Sequence, residues 1–335
     1  NLKLNGPEQK TQKEEVTRKE TTGSLIQEKG SETFKANLVL ADIKGTPKAL
    51  QSSGVTGDIS GVQGKRTING KFSSPFSGNL ENSIFDLPKL VGNLDIKDPA
   101  LPNGGVKGSF SLSLHTDTKQ ELIDSKFDLS VDSTKLNGDV AVASFKKPNI
   151  KFNLIADTLD LNKLLGTSNQ PADKAPANQK PTALSFLKNL LLDGKIKIAN
   201  LIYQKYRLSG LNLGIKADGE KLALTGLNVK LDDSQIKGNL AISQFAKPLY
   251  TFDIDIDKLD VDRYITSNTS ATPTAGKAND KPLDLSALKA LNADGSLRIV
   301  SLKYGKTKAS NIRIDLKADG QKLSLNPLAA KVDDS

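Results

Sequence analysis

"FDIDIDKLDVDRY", residues 252–264, places an aspartate at nearly every second position with an aliphatic residue between. A period of two is the strand period, so one side of this segment is acidic and the other apolar. The same spacing of carboxylates also invites a metal-binding reading. A calcium loop, however, needs a glycine near its sixth position for the sharp turn, and Lys258 stands there. Side chains two apart on a rigid strand also splay along a line instead of wrapping an ion. The segment is therefore expected to be a strand with Phe252, Ile254 and Ile256 turned inward and its aspartates in water.

An internal copy supports this choice. "LNGDVAVASFKKPNIKFNLIADTLDLNKLL" from Leu136 matches "IKGNLAISQFAKPLYTFDIDIDKLDVDRYI" from Ile236. Phe252 and Leu259 are kept as Phe152 and Leu159, whereas Asp253, Asp255 and Asp262 become Asn153, Ile155 and Asn162. A second pairing joins "DGKIKIANLIYQKYRLSGLNLGIKADGEKLALTGLNVKLDDS" from Asp193 to "DGSLRIVSLKYGKTKASNIRIDLKADGQKLSLNPLAAKVDDS" from Asp294. These align without a gap at a shift of ~101 residues, with about 19 identities in ~42 positions. One unit recurs.

The expected organisation follows: residues 1–30 as a truncated start, 31–165 as a β region with the first recognisable repeat, and 183–265 and 283–335 as a second and a truncated third repeat. Between them lie "GTSNQPADKAPANQKPT" (166–182) and "TSNTSATPTAGKANDKP" (266–282). Both are poor in residues to bury and read as linkers inserted at the same place in one scaffold. Alternation continues in "KIKI", "LNLGI", "LAL", "IRIDL" and "LSL", and Asp-Gly in "KADGEKL" and "KADGQKL" signals hairpins. Leu213 and Ile215 should then share a face with Leu222 and Leu224. Two short helices are expected, in "PTALSFLKNL" after Thr182 and in "PLDLSALKAL" after Asp284.

The fold class expected is mainly β: an elongated, curled antiparallel sheet of roughly 20 strands of ~8 residues, forming a groove built from ~100-residue repeats. The candidate groove lining is Ile196, Ile198, Leu211, Leu213, Ile215, Leu222, Leu224, Phe252, Ile254, Ile256, Leu297, Ile299, Ile312, Ile314, Leu316, Leu323 and Leu325. Such a face can be covered by another sheet, by its own curl, or by hydrocarbon from elsewhere.

Other chemistry finds little support. The net charge of +9 comes mainly from lysines spread singly between apolar residues, unlike the arginine and aromatic clusters of nucleic-acid readers, so no nucleic-acid partner is expected. There is no cysteine, hence no disulfide and no thiolate site, and no segment approaches a membrane span. Gly305-Lys306-Thr307 is half of a phosphate loop, but Val300 occupies the place of its first glycine. His115, the single histidine, has no evident partner. No nucleophile–base pair, metal or cofactor is nominated, and the chain reads as a non-enzyme.

"FDIDIDKLDVDRYI" with "FAKP" upstream, "LDLSALKALNADGSLRIVSLKYGKTKASNIRIDLKADGQKLSLNPL" and "FDLPKLVGNLDIKDPALPNGGVKGSFSLSL" (85–114) together resemble the AsmA family over most of residues 30–335. The resemblance implies an envelope protein of Gram-negative bacteria with its bulk in the periplasm, anchored in the inner membrane by an N-terminal helix absent from this sequence. It implies roles in phospholipid transport, lipid homeostasis and outer-membrane biogenesis, with an acyl lipid and outer-membrane assembly factors as partners. A structural scaffold for outer-membrane protein maturation, holding no lipid, is the alternative that an apolar strand face leaves open.

Overall fold

The structure is a computed structural model, and it describes residues 2–5, 16–29, 32–101, 104–165, 185–264, 292–319, 322–325 and 329–333. Two compact units are distinguished, one comprising Asn1–Ala177 with Asn189–Arg207 and the other Asn178–Lys188 with Leu208–Ser335. Both are β-sheet.

In the first unit the strands are β1 (Leu2–Asn5), β2 (Val16–Lys29), β3 (Glu32–Thr46), β4 (Ala49–Gln63), β5 (Arg66–Asn79), β6 (Ile84–Lys97), β7 (Gly105–Asp117), β8 (Leu122–Val131), β9 (Thr134–Ala143), β10 (Asn149–Asp160) and β11 (Leu191–Tyr203). Each of β1 to β9 pairs antiparallel with the next. β10 and β11 instead pair parallel, with Leu154 beside Ile196 and Ala156 beside Ile198. The second unit holds β12 (Tyr206–Ala217), β13 (Lys221–Leu231), β14 (Ser234–Ser243), β15 (Leu249–Asp260), β16 (Asn292–Tyr304), β17 (Thr307–Asp319), β18 (Leu323–Leu325) and β19 (Ala329–Asp333). Here too an antiparallel run is broken once, where β15 and β16 pair parallel. β18 and β19 both pair with β17.

The expected all-antiparallel meander is corrected at these two joints. Antiparallel neighbours can be closed by a two-residue turn, whereas parallel neighbours need a crossover of a dozen residues or more. The linkers 166–182 and 266–282 lie within the two connections that supply it. The longer strands, mostly ten to fifteen residues, also exceed the expected ~8.

Within strands, the alternation of apolar residues changes parity, and the backbone absorbs the change. In β12, Tyr206 and Leu208 occupy even positions but Leu211, Leu213 and Ile215 odd ones. Gly210, at φ +62°, lies within the register shift between them. In β13 the switch from Leu222 and Leu224 to Leu227 and Val229 falls at Gly226, φ +60°. An extra residue in the left-handed region forms a bulge and returns the apolar side chains to their original face. Asn311, which the sequence match pairs with Gly210, adopts the same conformation at φ +53°. Asparagine is among the few non-glycine residues that tolerate it. Pro75 and Pro88, which cannot donate to a ladder, likewise sit at register shifts of β5 and β6.

The described part of "PTALSFLKNL" is a short 3-10 helix, Ser185–Asn189, where a short helix was expected, while Thr182 lies outside the described residues. Leu187 in this helix is buried. The helix expected from Asp284 also falls outside them. A five-residue helix, Leu161–Leu165, follows β10 where none was expected.

Candidate functional site

Directly paired residues of a ladder share a face, so the register defines the apolar surface of each unit. In the second unit, one row runs Ile215–Leu224–Leu240–Phe252–Gly295–Leu316–Leu325. Beside it run Leu227–Gly238–Ile254–Leu297–Ile314 and Val229–Ile236–Ile256–Ile299–Ile312. A fourth row carries Ala217, Leu222, Ile242, Tyr250, Ala293, Ala318 and Leu323. Leu211 and Leu213 continue the alternation of Ile215 along β12. In the first unit, Ile198 ends a row that begins Leu38–Gly57–Phe72–Gly92–Phe110 and continues through Leu129, Leu136 and Ala156. Ile196 ends the parallel row Leu112–Phe127–Gly138–Leu154. The register thus gathers the seventeen candidate residues onto one apolar face in each unit.

These faces are only partly buried. Ile198, Ile299 and Ile312 fall below a tenth exposed, Leu325 is exposed, and the other thirteen are half-buried. Among the described residues no large side chain is fully buried. Side chains standing in a single layer shield one another's flanks and leave their tips open, which is the pattern of half-burial seen here. A dry sandwich would instead interdigitate two such faces and bury the tips.

Five phenylalanines lie across glycines of the neighbouring strand, a feature the sequence reading missed. A Cβ placed on Gly57 would come 2.3 Å from Phe72 Cζ, on Gly92 2.4 Å from Phe110 Cζ, and on Gly138 3.0 Å from Phe127 Cζ. At the two parallel joints, Gly194 is covered by Phe152 (2.1 Å) and Gly295 by Phe252 (2.6 Å). Each ring fills the place of the missing side chain and lies low on the sheet, so the aromatic residues keep the wall flat. Glycines in strand interiors among phenylalanines were the available signal.

The opposite face explains the aspartate run. Asp253, Asp255 and Asp257 are exposed. Arg298, beside Asp255 on the parallel strand, donates from Nη2 to Asp253 Oδ1 (2.6 Å) and Asp255 Oδ2 (3.1 Å), and its Nε meets Asp255 Oδ1. Asp257 Oδ1 accepts the Gln235 N–H (2.7 Å), as Asp157 accepts that of Lys135 (2.9 Å). Asp262 accepts the Gly305 N–H (2.9 Å), and its counterpart Asn162 accepts that of Gln204 (2.7 Å). These side chains stitch the sheet together, and Asp262 and Asn162, just after β15 and β10, each clamp the next hairpin turn. Gly305 has φ +59° at the first centre of that two-residue turn, which accounts for its glycine without any phosphate loop. His115 is corrected as well: its Nδ1 lies 2.5 Å from Asp86 Oδ1, its direct ladder partner. Among the described residues no three side chains of metal-binding type converge.

The same bonds make a pH prediction. The Glu220 and Lys221 N–H groups hold the Asp218 carboxyl below its ordinary value of 3.8, the Arg298 guanidinium does so for Asp255, and the Ser296 hydroxyl with Arg313 for Asp315. A carboxyl with a lowered folded pKa stabilises fully above the unfolded value and loses that contribution as pH falls through the folded one. The melting temperature should therefore be level from about pH 7 to 5 and fall below about pH 4. A melting temperature unchanged down to about pH 3 would show that these contacts add nothing.

No protein-family model, no curated protein and no solved structure matches this chain. No helix among the described residues is long and apolar enough to cross a membrane.

Proposed function

We propose that the apolar sheet faces hold the acyl chains of phospholipid, and that the chain is a lipid-binding groove segment, built from ~100-residue repeats, of an AsmA-like envelope protein acting in phospholipid transport or homeostasis and outer-membrane biogenesis. The observation that carries this reading is the set of apolar rows, up to seven strands wide in the second unit and built mainly from Leu, Ile, Val and Ala, in which most of the large aliphatic side chains stay half-exposed. Apolar surface of that extent left to water is costly, and contiguous patches of this kind mark binding surfaces.

Each methylene moved from water onto such a wall gains about 0.8 kcal/mol, so a tail is held firmly. The wall is uniform and presents few polar atoms, so sliding along a row changes few contacts while leaving it forfeits them all. The phenylalanines across Gly57, Gly92, Gly138, Gly194 and Gly295 favour this, because each ring covers a glycine instead of standing into the path of a passing chain. The resemblance to the AsmA family implies a parent protein in the periplasm with an inner-membrane anchor, and that location belongs to the proposal.

Mass spectrometry of an organic extract of the purified chain is the direct test. Near-stoichiometric diacyl phospholipid is expected. An extract free of lipid, from protein that also takes up none on incubation with phospholipid vesicles, would overturn the reading and leave a structural scaffold.

A further inference from the structure

In the second unit, where the end of β15 meets β16 and β17, an open cleft of about 350 Å³ is lined by Lys258, Arg263, Lys303 and Lys308 together with Asp233 and Asp260. Arg263 lies 3.2 Å from Asp233 and 3.7 Å from Asp260, and Lys303 lies 3.2 Å from Asp260 and 3.7 Å from Asp262. Lys258 and Lys308 add two further positive charges to the lining. Lys303 and Lys308 are direct ladder partners, and like charges directly opposite one another weaken a sheet. A bound anion between them would turn that cost into an attraction. The neighbouring row, Leu259–Leu302–Ala309, alternates to the other face of the sheet, so the side chains that the ladder presents together are Asp260, Lys303 and Lys308. In the matched segment of the first unit, Thr158 and Ile202 replace Lys258 and Lys303, while Lys163 and Arg207 keep the charges of Arg263 and Lys308, so the second unit carries two more cations here.

We propose that this cleft binds the phosphate of a phospholipid headgroup, with Lys258, Lys303 and Lys308 facing the phosphate oxygens. The inference rests on the lipid reading above and deepens it. Lysine ammonium groups bind phosphate as point charges without imposing a fixed geometry, which suits a headgroup that must also be released.

Calorimetry on the full chain at low salt, with a dihexanoyl phosphatidylglycerol below its micellar concentration and separately with glycerol 3-phosphate, distinguishes lipid-borne from free phosphate. The double substitution Lys303→Ala/Lys308→Ala is expected to weaken the short-chain lipid about tenfold with an unchanged melt, and the difference should shrink as salt rises. Should alanine disturb the ladder, Lys308→Gln, which keeps an extended polar stem, reads the same loss. Lipid affinity unchanged in the folded variant overturns the cleft and leaves the acyl-chain reading standing. Glycerol 3-phosphate bound by the wild type and lost in the variant, with no lipid bound by either, overturns both the lipid source and the proposed function.

Discussion

Ile314→Asp is expected to strip the chain of co-purifying phospholipid while leaving its β-sheet circular dichroism and cooperative melting in place. Ile314 is half-buried, opposite Leu297 in the second apolar row, with its outer surface open. An aspartate there can keep its carboxylate in water when no lipid is present, so the sheet tolerates it. A tail lying across it would have to desolvate that charge, which costs several kcal/mol. Only about 1.4 kcal/mol is needed for a tenfold loss of lipid. Leu213→Asp, on the same face of β12, should behave alike.

Ile299→Asp is the contrasting case. Ile299 is 4% exposed and packs opposite Ile312, itself 7% exposed, so its carboxylate would have no water to reach. That variant should lose the cooperative melt of the second unit. If Ile314→Asp collapses as Ile299→Asp does, the face is a dry core and the lipid reading fails.

Gly92→Ala is expected to cost roughly 1–3 kcal/mol, the range of overpacked cores, despite adding one methyl to a strand where alanine is usually the better residue. The new Cβ would lie 2.4 Å from Phe110 Cζ and 2.5 Å from the backbone oxygen of Lys71. The ring can turn aside; the backbone cannot without breaking the β5–β6 ladder. Gly57→Ala is its control. There the close atoms all belong to the Phe72 ring, at 2.3, 2.7 and 2.8 Å. Its cost should be small, and Phe72→Leu in the same chain should remove it. Chemical denaturation of the four proteins measures this, and equal losses at both glycines would show that the ring contacts, and not the strand spacing, set the energy.

Much of this fold could be read locally. The alternation of Phe252, Ile254 and Ile256 with aspartates predicted the observed burial pattern, and Asp-Gly after Ala217 predicted the β12–β13 hairpin, with Ile215 opposite Leu224. The parity changes at Gly210, Gly226 and Asn311 were also in the sequence, but their meaning depends on which residues end up opposite one another. The same holds for the aspartates. Their exposure follows from strand period, whereas Arg298 as the partner of Asp255 follows from a parallel pairing across residues 261–291. His115 was legible as a polar residue on a strand. That Asp86 meets it depends on the β6–β7 register, which shifts between Leu87 and Leu90.

By itself, then, the sequence determined that this chain forms long two-faced strands, where several of them turn, and that one stretch recurs about a hundred residues on. These are properties of the backbone's two-residue period and of turn chemistry, which act over a few neighbours. Only the tertiary structure decided that two of the pairings are parallel, that phenylalanines lie down over glycines at both of those joints, and that the apolar rows stay half-open. A side chain alternates in the same way whichever direction its neighbouring strand runs, and whether protein or something else comes to cover it.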